Sequence, residues 1–281
     1  MLETMRRHGR AAVAAVIRFN RDDGWAIASH ITLSGIMALF PFLIFCTSLA
    51  AFFDLGEFPP MAFDLMFELW PPAVAEPLSW ELLNVLTQPR GDVLTFGAVL
   101  ALFFASSGVE ALRLGLNRAY RTRETRGILR LRAQSILFVL LASIVLAAAG
   151  FLLVVVPLAE AAAARFAPWL DDYLIDLGDW RLAASVAILV FGLFASHRWL
   201  PCEHAGYRAL APGVALTLVL WAVASLGFAA YLRTFANYGA TYAGLAGIVV
   251  AVLFVYLMSA IYLIGAEYNA ALMAFDKNEG K

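Results

Sequence analysis

Only 15% of the residues in this chain are charged, so each ionisable side chain set beside an apolar run is a candidate for chemistry. Glu267 is the most informative acid, because it follows an uncharged stretch that begins at Tyr242. A carboxylate at the centre of a hydrocarbon layer costs at least about 2.5 kcal/mol, so a buried one has a partner or a role. As a functional group Glu267 would couple proton movement or hold a substrate. As a structural one it would pair with Arg113, Arg118 or Arg198. Glu110, at the end of another apolar run, carries the same two readings or faces the headgroup layer. Pro41, inside an apolar run, breaks a helical hydrogen-bond ladder; it predicts either a bent helix lining a path or a packing kink.

The histidines are His8, His30, His197 and His204, and only His197 falls in a cluster with other metal-ligating types: Cys202, Glu203 and His204. Pro201 interrupts any shared helical face there, and the spacing fits no common structural-zinc pattern. We read a polar turn and expect no metal and no cofactor. Hydrolysis of RNA needs carboxylates and histidines clustered on a metal, or an acid and a base positioned in water. The sequence offers no catalytic set of that kind, so a non-enzymatic protein is expected.

Seven arginines lie between positions 113 and 132: Arg113, Arg118, Arg121, Arg123, Arg126, Arg130 and Arg132. Such a run attracts polyanions, but it lacks the interleaved aromatics that stack bases, and no nucleic-acid partner is expected. Beside a membrane each basic residue gains roughly 1 kcal/mol on an anionic leaflet. A guanidinium also forks onto phosphate. The seven are therefore candidate contacts for anionic lipid headgroups, with membrane topology as the simpler account.

These residues are positioned by apolar runs. The chain is 62% hydrophobic with a mean hydropathy of +0.79, and too few charges remain to cover a water-facing surface. Six runs approach the roughly 20 apolar residues needed to cross a bilayer: about 31–53, 93–111, 134–158, 182–200, 209–232 and 242–266. The fold expected is all-α, one polytopic membrane domain over 25–275 between a basic tail (1–24) and a short tail (276–281). Residues 11–19 predict an interfacial helix, and the outer connection 54–92 predicts two short amphipathic helices punctuated by prolines. The apolar run after the Arg-rich start reads as a retained first span, and two isolated cysteines, Cys46 and Cys202, make no disulfide framework.

Orientation follows from Lys and Arg in the short connections. The N-terminal tail carries Arg6, Arg7, Arg10, Arg18 and Arg21, and the second basic segment is the arginine run. Residues 54–92 hold Arg90 alone against seven acids, and 159–181 add Asp171, Asp172, Asp176 and Asp179. Basic and acidic segments alternate, which places both chain ends in the cytoplasm. Trp25 and Trp199 near one boundary, and Trp70, Trp80, Trp169 and Trp180 near the other, agree with that depth.

Five segments, in order and at fitting spacing, resemble the YihY/virulence factor BrkB family of bacterial inner-membrane proteins. They are Ala38 to Leu43 around Pro41; Leu116-Asn117-Arg118-Ala119-Tyr120 with the arginine run; Arg198 to Pro201 with Ala211-Pro212-Gly213; Asn237-Tyr238-Gly239-Ala240; and Gly265-Ala266-Glu267-Tyr268-Asn269-Ala270. The resemblance covers about Asp23 to Leu272, and it departs where Cys202, Glu203 and His204 replace basic residues. It implies a multi-pass protein of the bacterial inner membrane. Members of the family have carried ribonuclease, serum-resistance and transporter labels. Asn117, Tyr120, Pro201, Pro212, Gly213, Tyr238, Gly239, Gly265 and Asn269 are expected to be structural. The functional expectation is a transporter or translocator of an amphiphilic or anionic substrate such as an envelope lipid, with membrane lipids as partners. The alternative is a non-transporting scaffold that contacts an envelope partner.

Overall fold

The computed structural model describes residues 2–52, 91–150, 177–235 and 243–279, and among these every regular element is an α-helix. They are α1 (Leu2–Arg21), α2 (Gly24–Phe52), α3 (Gly91–Ala119), α4 (Ile128–Gly150), α5 (Leu177–Trp199), α6 (Tyr207–Phe235) and α7 (Ala243–Glu279). Four of them contain a stretch long and apolar enough to cross a bilayer: Val99–Ala119, Ile128–Val145, Tyr207–Leu232 and Val249–Asp276. A shorter apolar stretch, Val186–Trp199, lies in α5. The amphipathic helices expected in 54–92 and the turn at Tyr238-Gly239 fall outside the described residues. Helix α2 runs on through Pro41 as one element.

Helix α7 is the axis. From Ser259 to Asn269 all its side chains are buried except the half-buried Ile264. It packs against α1, α2 and α6, and more lightly against α3. Small and branched residues make the shared core: Ala28 and Ile31 of α2, Ala111 and Leu116 of α3, Leu193 of α5, Val214 of α6, and Ala260, Leu263 and Ala266 of α7. Elsewhere the helices present large apolar side chains outward, among them Phe104, Leu137, Phe191, Val219, Leu226 and Val249. Apolar residues buried inside and exposed outside are the pattern of a bundle whose solvent is lipid.

Two helices overrun their hydrophobic runs because the bundle gives their polar residues somewhere to go. Helix α3 continues eight residues past Ala111, turning Arg113 and Asn117 inward. Helix α7 continues to Glu279 because α1 lies antiparallel along its end. Ala11 and Ala15 pack there on Tyr268, Ala271 and Leu272, Arg7 pairs with Asp276, and Tyr268 Oη bonds His8 Nδ1 at 2.6 Å. The predicted interfacial helix over 11–19 is thus a longer one, held on α7, with Met5, Val13, Val16 and Ile17 exposed on its far side.

Candidate functional site

The α1–α2, α3–α4 and α5–α6 turns gather at one end of the bundle, and the polar residues singled out above converge there. Helix α3 ends in a Schellman arrangement: the Thr122 amide donates to the Asn117 carbonyl (2.9 Å) and the Arg121 amide to that of Arg118 (3.1 Å). The residue after the cap must then be left-handed, and Arg121 sits there at φ 57°, a position that favours glycine. Its guanidinium explains the choice. Nη1 donates to Glu267 Oε2 at 3.0 Å and Nη2 to Asp22 Oδ2 at 2.5 Å. Asp22 lies in the α1–α2 turn, beside Asp23, which is itself left-handed at φ 56° and pairs with Arg118 at 3.4 Å. Glu267 is only 3% exposed. It floors a small cleft with Asp22, Gly24, Gly115, Arg118 and Leu263 that has room for about one water molecule.

A second network ties the α3–α4 turn to the α5–α6 turn. Asn117 Oδ1 accepts from the Cys202 amide (2.9 Å) and from Thr122 Oγ1 (2.9 Å), while its Nδ2 donates to Glu124 (2.9 Å). Arg126 forks onto Glu124, with 2.7 Å on each oxygen, and reaches the Leu200 carbonyl (2.8 Å) and Gln134 (2.9 Å). The Arg126 guanidinium holds the Glu124 carboxyl down at about 2, and the pairing raises Arg126 in return. Pro201 is buried beside this network.

His197 does not join Cys202, Glu203 and His204. It is 1% exposed, between Tyr120 and Tyr262, whereas Glu203 and His204 are exposed and Cys202 Sγ lies 3.3 Å from Thr125 Oγ1. Among the described residues, no three His, Cys, Asp or Glu side chains are placed to share a metal. Tyr120 Oη accepts from Asn269 Nδ2 (3.5 Å) and shares a hydrogen bond with His197 Nδ1 (2.6 Å). Burial raises the Tyr120 hydroxyl far above the ordinary tyrosine range.

Asn269 also fixes the α6–α7 crossing. Its Oδ1 accepts from the Gly213 amide (2.7 Å) and its Nδ2 donates to the Leu210 carbonyl (3.0 Å), which clamps α6 on both sides of Pro212. The backbones approach so closely that a Cβ on Gly265 would strike Thr217 Oγ1, and one on Gly213 would strike the Gly265 carbonyl. Motifs 56 residues apart are one contact surface.

The arginine run divides by partner. Arg113 is buried against the Leu131 carbonyl and Ser135 of α4; Arg118, Arg121 and Arg126 hold the pairs above. Arg132 pairs with Glu110 at 3.0 Å and lies 4.0 Å above the Phe103 ring. Arg123 and Arg130 are exposed, beside Ile128 and Leu129, which are 84% and 88% exposed. Glu267 therefore pairs with Arg121 rather than with Arg113, Arg118 or Arg198, because Arg113 turns into α4 and Arg198 lies over the Tyr207 ring. Two members of the site, Asp22 and Glu124, escape a reading of apolar runs. Glu124 had a signal, being the single acid among the seven arginines.

A family model described as Virulence factor BrkB matches residues 15–281. The chain is 29% identical over 256 residues to the ribonuclease-like protein YfkH of Bacillus subtilis, covering 91% of this chain and 92% of the relative. It is 22% identical over 254 residues to a UPF0761 membrane protein of Tolumonas auensis, covering 90% and 82%. A UPF0761 membrane protein of Vibrio cholerae matches at 35% identity over 99 residues, 30% of this chain and 33% of the relative. No solved structure matches the chain.

Proposed function

From the premise that the chain belongs to the virulence factor BrkB family of membrane proteins, we propose that it is a translocator of an anionic amphiphile, such as an envelope lipid, across the bacterial inner membrane. The observation that carries the reading is the latch on Glu267. A carboxylate buried at the end of the bundle is closed over by Arg121 and Asp22, from two different turns. Both turns hold a left-handed residue other than glycine, which costs roughly 1–3 kcal/mol each. An anionic headgroup that took Arg121 would release Glu267 and loosen α1–α2 from α3. Six spans with both ends in the cytoplasm put this latch at the cytoplasmic surface, where the arginine run meets anionic lipid. No nucleotide-binding motif lies in the sequence, so the energy would come from a gradient or a partner.

The test is flux of a fluorescent phosphatidylglycerol analogue across vesicles holding the purified protein. Glu267→Gln is expected to slow it at least tenfold; flux equal to wild type would remove Glu267 from the mechanism.

A non-transporting scaffold is the second reading, and the exposed stripe Met5, Val13, Val16 and Ile17 on α1 favours it. Loss of cellular function in a Val13→Asp, Ile17→Asp variant whose vesicle flux is intact would decide for it. The ribonuclease-like name of one relative finds little support in these side chains. The one buried histidine of the α5–α6 region, His197, already has its Nδ1 hydrogen-bonded to Tyr120, away from water.

A further inference from the structure

Arg132 points the wrong way for a basic residue at a membrane boundary. It lies in the first turns of α4, where a long cation ordinarily reaches back toward the headgroups. Its guanidinium instead reaches along α3, toward residues well inside the apolar stretch Val99–Ala119. Nη1 makes all of its polar contacts: Ser106 Oγ at 2.6 Å, the Phe103 carbonyl at 3.3 Å and Glu110 Oε1 at 3.0 Å. Nε and Nη2, the two donors that share one edge of the guanidinium, bond nothing among the described residues, and neither is a buried atom. The pair is open to its surroundings, with the Arg132 side chain 28% exposed and that of Glu110 35%. Phe103 and Leu114, seven residues before Glu110 and four after it, share its face of α3, and Ile128 and Leu129 lie one turn before Arg132 on α4. All four are exposed, so charged groups stand among side chains that meet acyl chains. That arrangement is costly unless the polar part of a lipid, or water, reaches it.

We propose that Glu110 and Arg132 form a headgroup site for an aminophospholipid on the lipid-facing side of the α3–α4 seam. The free Nε–Nη2 edge of Arg132 forks onto the phosphate, and Glu110 accepts from the primary ammonium. Arginine offers that edge as two parallel donors, where a lysine would be only a point charge. In an ethanolamine headgroup the phosphate and the ammonium are separated by one ethylene link, so both charges of a contacting ion pair can be met by one molecule. A choline headgroup carries the same charges, but its quaternary nitrogen has no proton to donate. A purely anionic headgroup brings no cation to Glu110. Arg113, buried behind the pair on the Leu131 carbonyl, adds to the field that holds the phosphate. The acyl chains lie along Phe103, Leu114, Ile128 and Leu129. The site goes beyond the translocator reading and does not need it, because it is tested by equilibrium binding.

The experiment is native mass spectrometry of the full-length protein in mixed micelles of phosphatidylethanolamine, phosphatidylglycerol and phosphatidylcholine in equal amounts. Wild type is expected to prefer phosphatidylethanolamine over phosphatidylcholine by about tenfold, the worth of one hydrogen bond to a charged group. Retention should fall stepwise through the mono- and dimethylated ethanolamine lipids, a series that needs no altered protein. Glu110→Gln is expected to keep lipid but to flatten that series. Arg132→Gln is expected to lose retention of every phospholipid by about tenfold or more. Arg208→Gln, an exposed arginine on α6, should change neither. Equal retention of the ethanolamine and choline lipids by wild type, stronger retention of phosphatidylglycerol, or no lipid retained at all overturns the site. An undiminished series in Glu110→Gln does the same. If Arg132→Gln does not fold, Arg132→Lys takes its place, and unchanged retention there overturns the fork. Loss of flux in Glu267→Gln with the methylation series intact leaves this site standing, and a flat series with normal flux faults it alone.

Discussion

At the scale of single residues, the informative feature is an arginine where a glycine would be at ease. Arg121 caps α3 at φ 57° and holds Glu267 and Asp22. Substituting Arg121→Gly would relax the backbone but leave a buried carboxylate without its partner. The second effect dominates, since breaking such a pair costs about 3–5 kcal/mol against roughly 1 kcal/mol gained at the cap. Arg121 is itself partly exposed, which moderates the loss. We expect Arg121→Gly to lower stability by about 2 kcal/mol in detergent unfolding, and Arg121→Gly with Glu267→Gln to recover most of it. Equal losses in the single and double variants would mean that the pair carries no coupling. Glu124 gives a pH prediction. Its folded value of about 2 lies below the unfolded carboxylate value near 4.3, so its contribution is complete above that value and is lost as pH falls toward 2. The stability difference between wild type and Glu124→Gln should be about 1.5 kcal/mol at neutral pH and shrink between pH 4 and 2. A difference that stays constant over that range would contradict the pairing with Arg126.

At the scale of elements, the α6–α7 crossing is set by two glycines and one carboxamide. Gly265 has no room for a methyl group, because Thr217 Oγ1 and the Gly213 carbonyl stand where the methyl would go. Gly227, on α6, has nothing within 4 Å of the corresponding position. The same substitution should therefore act in opposite directions. Gly265→Ala forces the helices apart and is expected to cost about 1–3 kcal/mol. Gly227→Ala gains helix propensity and should be neutral or stabilising by up to about 1 kcal/mol. Thermal unfolding of the two variants in one detergent distinguishes them, and a loss at both positions would mean that helix packing is not what Gly265 serves. The same reasoning explains why α7 exceeds a single span. Its 37 residues reach about 55 Å, and the end past Asn269 survives in the structure because α1 covers it.

For the whole molecule, the question is which side of the membrane each turn faces. The three described turns gather at one end of the bundle, as they would if α2 to α7 crossed the membrane in alternating directions. With Cys46 and Cys202 replaced, single cysteines at positions 129 and 239 test the arrangement in intact cells. A membrane-impermeant maleimide is expected to label position 239 and to leave position 129 unlabelled until the membrane is opened. Labelling of both, or of 129 alone, would overturn the cytoplasmic assignment of the arginine run.

Helix positions and the membrane class were legible in the sequence because both are local properties. An apolar run of sufficient length has one inexpensive solvent, and its backbone has one way to satisfy itself there. Motif residues such as Asn117, Gly213 and Asn269 could be singled out in the same way, one segment at a time. Their partnerships could not, because a side chain's partner depends on which way each helix is rotated in the bundle. Glu267 and Arg121 are 146 residues apart, and several arginines were equally eligible by depth. Only the tertiary structure turned Arg113 into the α3–α4 seam, lifted Arg121 onto Glu267 by a left-handed cap, and separated His197 from Cys202. Apolar runs in the sequence set which charges lie beside the helices; packing decided which of them pair, Glu267 with Arg121, Glu124 with Arg126 and Glu110 with Arg132, because pairing depends on how each helix is rotated against its neighbours.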